Sequence, residues 1–360
     1  MKITFFIGGL SGGGAERVTC NLASYLANRG HVIKVLTMSD DEPSYAIDNK
    51  VQRIPLLVTS ERKNIIYNSV LRLYRFIKYL RKSKVDAYVV MLPVTTIMLL
   101  RMRWLTKAKV IAAERVDPSQ YPVKKQNQLK SLAKKADGWV FQTEEERKWY
   151  GVATGKAKVS IIPNAINPDF IKPAHEGERQ KTIVTAGRLT EQKSHELLIK
   201  SFARISNDFP EYQLVVYGDG PKKEYLEQVA KNFGVQEKVL FPGYTTNIGE
   251  SIKNASLFVL SSDFEGMPNA LMEAMALGVP CVSTDCDGGG AKFLIDNKKN
   301  GLLVPKGDVD ALATAMERML SDPEFAEQCG REAHKICERL APEKIYGEWE
   351  SFIKVIVDKQ

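Results

Sequence analysis

The chain has 360 residues, 44% of them hydrophobic and 26% charged; that is the balance of an ordinary globular protein, too long for one average core, so two domains of roughly 150 to 200 residues are expected. Its five cysteines (Cys20, Cys281, Cys286, Cys329, Cys337) lack the short paired spacings of a zinc site or redox dithiol, and its longest apolar run, at 89 to 100, falls short of the ~18 residues needed to cross a bilayer. Residues 1 to 165 hold 28 Lys and Arg against 13 Asp and Glu, whereas the remainder is net acidic; a basic half is suited to an anionic partner such as phospholipid, a lipid pyrophosphate or nucleic acid, with plain solubility as the alternative.

In chain order, KITFFIGG reads as a buried strand, followed by glycines, a helix from about Ala15 to Asn28 and the strand HVIKVLTM. This is a βαβ unit of a parallel sheet. A basic segment at 60 to 84 carries Leu71, Tyr74, Phe76, Ile77 and Leu80 among Arg72, Arg75, Lys78, Arg81 and Lys82. It predicts an amphipathic helix that either packs on the sheet or lies on an anionic bilayer, and both can hold at once. Further strands are expected near 87 to 92, 109 to 114, 138 to 143 and 159 to 164. Residues 165 to 180 carry two prolines and no periodicity, which marks a linker. A second α/β series then runs through KTIVTAGRL, LLIKSFARISNDF, YQLVVYGDG, KEYLEQVAKNFG, VLFPG, LFVLSS, NALMEAMALG and PCVSTD. The expected domains are 1–165 and 166–342. A last helix over 343–360, with Trp349, Phe352 and Ile356 on one stripe, is a candidate to cross back onto the first. In open parallel sheets ligands lie beyond the carboxyl ends of the strands.

Three segments carry chemistry. In EGMPNALME, Glu265 and Glu273 are eight positions apart, and the intervening Gly266 and Pro268 suggest that a helix starts between them. In GRLTEQK, Arg188 and Lys193 follow a strand; two cations on a tight loop suit a diphosphate whose charge grows as a bond to it breaks. The loop GGLSGGGAER combines glycines with a helix start, a ready anion site with exposed N–H groups, although a plain glycine turn is the alternative. Its spacing does not fit a dinucleotide fingerprint. Asp285 and Asp287 form a D-x-D, but their setting after a buried strand argues for a turn rather than a metal site.

These segments, with IIPNAIN, YGDGP, VLFPGY and NGLLVPKGD, resemble the retaining glycosyltransferases of family 4 over essentially the whole chain. The resemblance implies the GT-B fold: two facing Rossmann-like, doubly wound parallel-sheet domains with a cleft between them. It implies that Glu265 contacts hydroxyls of the donor sugar, that Glu273 binds the nucleotide ribose, and that Arg188 and Lys193 hold the pyrophosphate. Gly218, Gly243 and Tyr244 are expected near the nucleotide, Gly266, Met267, Pro268 and Asn269 are expected to line the donor beside Glu265, and Gly13 and Gly14 to approach the donor phosphates. Glu16, Arg17, Glu114 and Arg115 are acceptor-side candidates; Asp117 shares the 112 to 120 loop, and which of them acts stays open. The expected reaction transfers a hexose or N-acetylhexosamine, with retention, from a nucleotide diphosphate sugar (UDP in the first instance) to a saccharide or polyprenyl-pyrophosphate-linked acceptor in polysaccharide or capsule synthesis. No metal or other cofactor is expected. The expected setting is cytoplasmic, peripheral on an anionic membrane surface and without nucleic acid, since no nucleic-acid module is recognised. A nucleotide-sugar epimerase of the same fold and a non-catalytic subunit are the rival readings.

Overall fold

The computed structural model describes residues 1–358 except 174 and 176. The linker reading over 165 to 180 and the helix reading over 343 to 360 therefore each include two residues outside the described ones. The chain divides into two compact units, Met1–Ala165 with Glu343–Gln360, and Ile166–Pro342.

The first unit is built on a seven-stranded sheet. Its order is β3 (Gln52–Pro55), β2 (Val32–Thr37), β1 (Lys2–Ile7), β4 (Ala87–Met91), β5 (Lys109–Ala113), β6 (Gly138–Phe141), β7 (Lys158–Ile161), and every pairing is parallel. Strands covered on both faces need continuous apolar runs, and β4 (AYVVM) is buried at all five positions. The sheet packs Phe6, Tyr88, Trp139 and Phe141 into one core with Phe76 and Leu80 of the helix Ile65–Lys82. That helix starts later than the basic segment suggests, because the Asn64 side chain accepts the Tyr67 N–H at 2.9 Å and caps it.

The second unit has a six-stranded parallel sheet in the order β10 (Val239–Gly243), β9 (Gln213–Tyr217), β8 (Gln180–Ala186), β11 (Ala255–Leu260), β12 (Cys281–Asp285), β13 (Leu302–Pro305). Within each unit the first strand in sequence has the second on one side and the fourth on the other. The connections thus run outward in opposite directions from β1/β4 and from β8/β11, and such a reversal opens a crevice at the carboxyl ends of the two strands.

The final helix, Pro342–Val357, packs on the first unit through Ile345, Tyr346, Trp349, Ile353 and Ile356, all buried. Trp349 lies under the Arg115 guanidinium at 5.1 Å, and Tyr346 meets Tyr25 at 5.3 Å. Close approach is possible because β6 begins at Gly138, where a Cβ would stand 3.1 to 3.2 Å from Ile356 and Phe352. Glu350, on the same helix, accepts from Lys354, His31 and Arg29 at 2.7, 2.9 and 3.2 Å.

Lys354 chiefly, then His31 and Arg29, hold the Glu350 carboxyl down to about 2 from an ordinary 4.5. A depressed carboxylate stabilises the fold above its unfolded value and loses that contribution as pH falls through its folded one. Urea midpoints of the wild type and Glu350→Gln should therefore differ most above pH 4.5 and converge towards pH 2. A gap that stays constant over this range would show that the carboxylate's charge contributes nothing.

Candidate active site

The crevice between β8 and β11 is where the second unit gathers its polar side chains. After β8 the chain turns through Gly187 and the exposed Arg188, passes a short turn at Glu191–Lys193, and enters the helix His195–Ile205 with Ser194 at φ 46. After β11 it passes Ser261 to Pro268 and enters the helix Asn269–Ala276. Glu265 therefore precedes the helix and Glu273 lies inside it, both buried at 7% exposure.

The two loops meet through a charge pair. Lys193 Nζ lies 2.5 Å from Glu265 Oε1, with side chains 15% and 9% exposed. Ser262 Oγ donates to the same carboxylate oxygen at 2.7 Å. Around the pair the backbones are stitched together: Gln192 Nε2 donates to the Phe264 carbonyl, the Asp263 N–H to the Gln192 carbonyl, and Ser261 Oγ to the Lys193 carbonyl, each at 2.9 Å. Thr284 on β12 holds the Ser262 carbonyl at 2.6 Å.

Neighbouring segments shape the same crevice. The glycine of the YGDG turn, Gly218, has φ 124, and a Cβ on it would lie 2.0 Å from the Gly187 carbonyl oxygen, so only glycine lets the end of β9 rest on the Arg188 loop. Gly243 ends β10 and the exposed Tyr244 follows it, and Asp219 accepts the Tyr244 N–H at 2.9 Å. Gly290 is pressed below the Glu265 loop, where a Cβ would stand 1.9 Å from the Gly266 carbonyl oxygen; Met267 and Pro268 are buried and Asn269 half-buried beside it.

Asp287 takes part in this frame through its backbone, which pairs with Glu265 and Asp263, while its carboxylate accepts from Lys306 at 2.6 Å. Asp285 is exposed at the end of β12. Burial, strengthened by the charge of Glu265, pushes the Cys286 thiol up to about 12, so it is no nucleophile at neutral pH. Burial and then the Lys193 charge pull His195 down to about 4, leaving a neutral ring at 3% exposure behind the cationic loop.

In the first unit the glycine loop ends β1, with Gly12 and Gly13 at φ 68 and 156, and Gly14 opens the helix Gly14–Asn28. The half-buried Glu16 turns its carboxylate over this helix start: a Cβ on Gly13 would lie 2.2 Å from Glu16 Oε2. Arg17 is half-buried in the same turn. Across the β1/β4 reversal, Leu92 adopts φ 74 and ψ 149, a region that costs a residue with a Cβ on the order of 1 to 3 kcal/mol. Glu114 and Arg115, at the end of β5, point into the unit. Glu114 accepts from Tyr121 and Tyr150, both at 2.7 Å, and Arg115 donates to Asn164 at 3.1 Å. Burial raises the Glu114 carboxyl and lowers Arg115 to about 10. Asp117 is likewise buried and bonds Ser119.

Of the candidate donor-side residues, Arg188, Lys193, Gly218, Gly243, Tyr244 and Glu265 to Asn269 stand at the carboxyl ends of the strands of the second unit's sheet and Glu273 in the helix that follows β11, whereas Gly13 and Gly14 belong to the first unit. Sequence reasoning missed Gln192, Ser262 and Leu92. Gln192 and Ser262 sit inside recognised segments but act by local hydrogen bonds that no spacing encodes, and the only signal for Leu92 was the proline that follows it.

Two family models match the chain, Glycosyltransferase Family 4 over residues 12–170 and Glycosyl transferases group 1 over 167–336. The chain belongs to glycosyltransferase family 4.

Among curated relatives of this glycosyltransferase, a Campylobacter jejuni α-1,4-N-acetyl-D-galactosaminyltransferase, named for a GalNAc-containing undecaprenol-diphosphate glycan, is 27% identical over 97% of each chain. An exopolysaccharide phosphotransferase of Streptomyces coelicolor is 34% identical over 62% of this chain, and that match spans 24% of the relative's length. Among solved structures, Anabaena HepE in complex with UDP superposes with a TM-score of 0.81 at 16% identity, covering 99% of this chain and 100% of that one. The fold is GT-B.

Gln192 joins the Lys193 and Glu265 loops without carrying charge. Gln192→Ala should cost about 1 kcal/mol of stability for one hydrogen bond and lower kcat of the glycosyltransferase severalfold, with donor KM little changed. Urea unfolding beside initial rates checks this; an unaltered kcat would mean that the backbone bonds alone hold the two loops in register.

Proposed function

We propose that the chain transfers a hexose or N-acetylhexosamine, with retention, from a UDP-sugar to a saccharide or polyprenyl-pyrophosphate-linked acceptor in the synthesis of a bacterial surface glycan, working at the cytoplasmic face of an anionic membrane. The observation that carries the reading is the Lys193–Glu265 pair, a cation and a carboxylate locked 2.5 Å apart at a strand reversal. The name of the Campylobacter relative supports the acceptor class, and the UDP bound by HepE supports the nucleotide. Among the described residues no helix is long and apolar enough to cross a membrane, which fits a peripheral location.

In this reading the donor diphosphate lies against Arg188 and Lys193, Glu273 receives the ribose hydroxyls, and Tyr244 with Gly243 lies at the base. Glu265, one oxygen already held by Lys193 and Ser262, offers the other to hydroxyls of the sugar. The bond from the anomeric carbon to the diphosphate oxygen breaks on the face where the acceptor hydroxyl attacks. The departing phosphate takes the hydroxyl proton, so configuration is kept without a covalent enzyme intermediate. Lys193 and Arg188 stabilise the negative charge that grows on the leaving oxygen. Glu16 and Arg17 contribute on the acceptor side, while Glu114 and Arg115 act from inside the first unit by holding its loops.

The experiment is incubation with a panel of UDP-sugars, with and without a polyprenyl-pyrophosphate saccharide, reading the anomeric configuration of the product by NMR. An α-linked donor giving an α-linked product supports the reading; inversion, or sugar interconversion without acceptor, overturns it.

Two further outcomes are expected. Lys193→Ala should mainly lower kcat, by ~100-fold or more, while Glu273→Gln should mainly raise donor KM, because ribose contacts do not change during reaction. Steady-state titrations with folding checked by circular dichroism decide this, and near-normal kcat in the first or unchanged KM in the second removes that residue's role. Turnover should also persist in excess chelator, since the two cations occupy the role of a divalent ion. Activity lost in chelator and restored by magnesium would contradict it.

A further inference from the structure

A leucine stands at position 92, where the backbone calls for glycine. Among the described residues three besides glycine have positive φ. Ser194, at φ 46 and ψ 42, takes the left-handed helical conformation, which a residue with a Cβ can adopt in a turn. Leu92, at φ 74 and ψ 149, borders the extended positive-φ region that is essentially reserved for glycine. Gly13, at φ 156 and ψ 163, occupies that region after β1 without strain. The Leu92 conformation persists because buried side chains impose it. Thr95 and Thr96, 1% and 2% exposed, tie the turn back onto the helix Pro93–Arg101. Thr95 Oγ1 lies 2.5 Å from the Met91 carbonyl oxygen and 3.1 Å from that of Leu92, and the Thr96 Oγ1 and N–H donate to the Leu92 carbonyl at 2.9 and 3.1 Å. Glycine would hold this turn at no steric cost, so the leucine side chain needs its own explanation.

Core packing does not supply one. Ile97, Leu99 and Leu100 of the same helix are buried in the first unit's core, whereas Leu92 is half-buried and Val94 beside it is 56% exposed. Position does supply one. β1 and β4 pair in parallel with Phe6 opposite Val90, and continuing that register brings Leu92 beside Gly8, where the glycine loop leaves the sheet. Thr19, on the helix that this loop opens, donates to Met91 Sδ at 3.2 Å. The carboxyl end of the reversal thus has a polar margin, the loop and helix start that carry Glu16 and Arg17, and an apolar one, Leu92 with Val94. A sugar ring has the same two characters, hydroxyls round its edge and C–H groups on its faces. A pyrophosphate offers nothing apolar.

We propose that Leu92 is a specificity-determining contact for the acceptor: its side chain is the apolar floor on which the C–H face of the acceptor sugar rests, while the ring's hydroxyls turn to the glycine loop and Glu16. Strain is kept at functional clamps when the surrounding structure over-determines it, as Thr95 and Thr96 do here. The inference rests on the proposed transfer to a saccharide and adds which end of the acceptor the first unit recognises.

Three variants test it: Leu92→Gly, Leu92→Ala and Leu92→Met. In thermal melting without ligands, Leu92→Gly should melt a few degrees above Leu92→Ala, the reverse of the order at an ordinary position, because alanine keeps the strain and glycine releases it. In initial rates with a UDP-sugar and a geranyl-pyrophosphate-linked N-acetylhexosamine, both small variants should raise acceptor KM about tenfold with donor KM unchanged, and Leu92→Met should restore it. In methyl NMR of the leucine-labelled wild type, the Leu92 signals, assigned by their loss in Leu92→Met, should move with that acceptor and stay in place with geranyl pyrophosphate or UDP alone. An alanine variant that melts above the glycine one, an unchanged acceptor KM, donor and acceptor KM rising together, or Leu92 methyls that answer to the lipid pyrophosphate without its sugar each overturn the proposal. Leu92 methyls that answer to the saccharide in a protein that transfers no sugar would support the contact and count against the proposed function alone. Transfer with an unaltered acceptor KM in Leu92→Gly would do the opposite.

Discussion

Lys193 and Glu265 come from loops that leave the sheet on either side of a strand reversal, and both are largely withdrawn from water. Taking two such charges out of water is costly unless each has the other and its remaining valences are filled. The Ser262 hydroxyl gives the paired carboxylate oxygen a second donor, and the bonds linking residues 192 and 193 to 261 to 264 hold the two loops together around the pair. The pair therefore fixes the distance between two loops that the strand order alone would leave free to drift. In the proposed function, a donor approaching this crevice meets a cation and a carboxylate already oriented, which would lower the reorganisation needed in a transition state that develops charge. Glycines at 218 and 290 serve the same frame by letting backbone rest on backbone where a side chain would intrude.

The first unit spends its polar groups differently. Glu114, Arg115, Tyr121 and Tyr150 form an interior network at the end of β5, capped by Trp349 of the returning C-terminal helix. Its glycine loop has a carboxylate of its own over the helix start, and its strand reversal carries a leucine in a backbone region suited to glycine. Excess positive charge stays at the surface, much of it on the helix that also exposes an apolar stripe.

Much of this was legible in the sequence, for physical reasons. Strands buried on both faces leave uninterrupted apolar runs, so β1, β4, β8 and β11 read clearly, and the segments that end β8 and β11 carry Arg188, Lys193 and Glu265 in tight turns. Edge strands have no such signature. β3 (QRIP) is short and polar, and β13 hides in a segment readable as a loop. The apolar run at 89 to 100 divides at Leu92 into the end of β4 and the helix Pro93–Arg101, because proline starts helices more readily than it continues them. Glu114 and Arg115 look available as a sequence, and only the tertiary arrangement turns them inward. The helical period of residues 65 to 82 was visible too, but not that half of its apolar residues stay uncovered.

The central claim is that a nucleotide diphosphate is held at the β8/β11 reversal by the loops that Lys193 and Glu265 join. Hydrogen–deuterium exchange with and without UDP tests it most directly. Protection should concentrate in Gly187 to His195 and Ser261 to Glu273 and should vanish in Lys193→Ala. Protection absent from both segments, or confined to the first unit's glycine loop, would contradict the account.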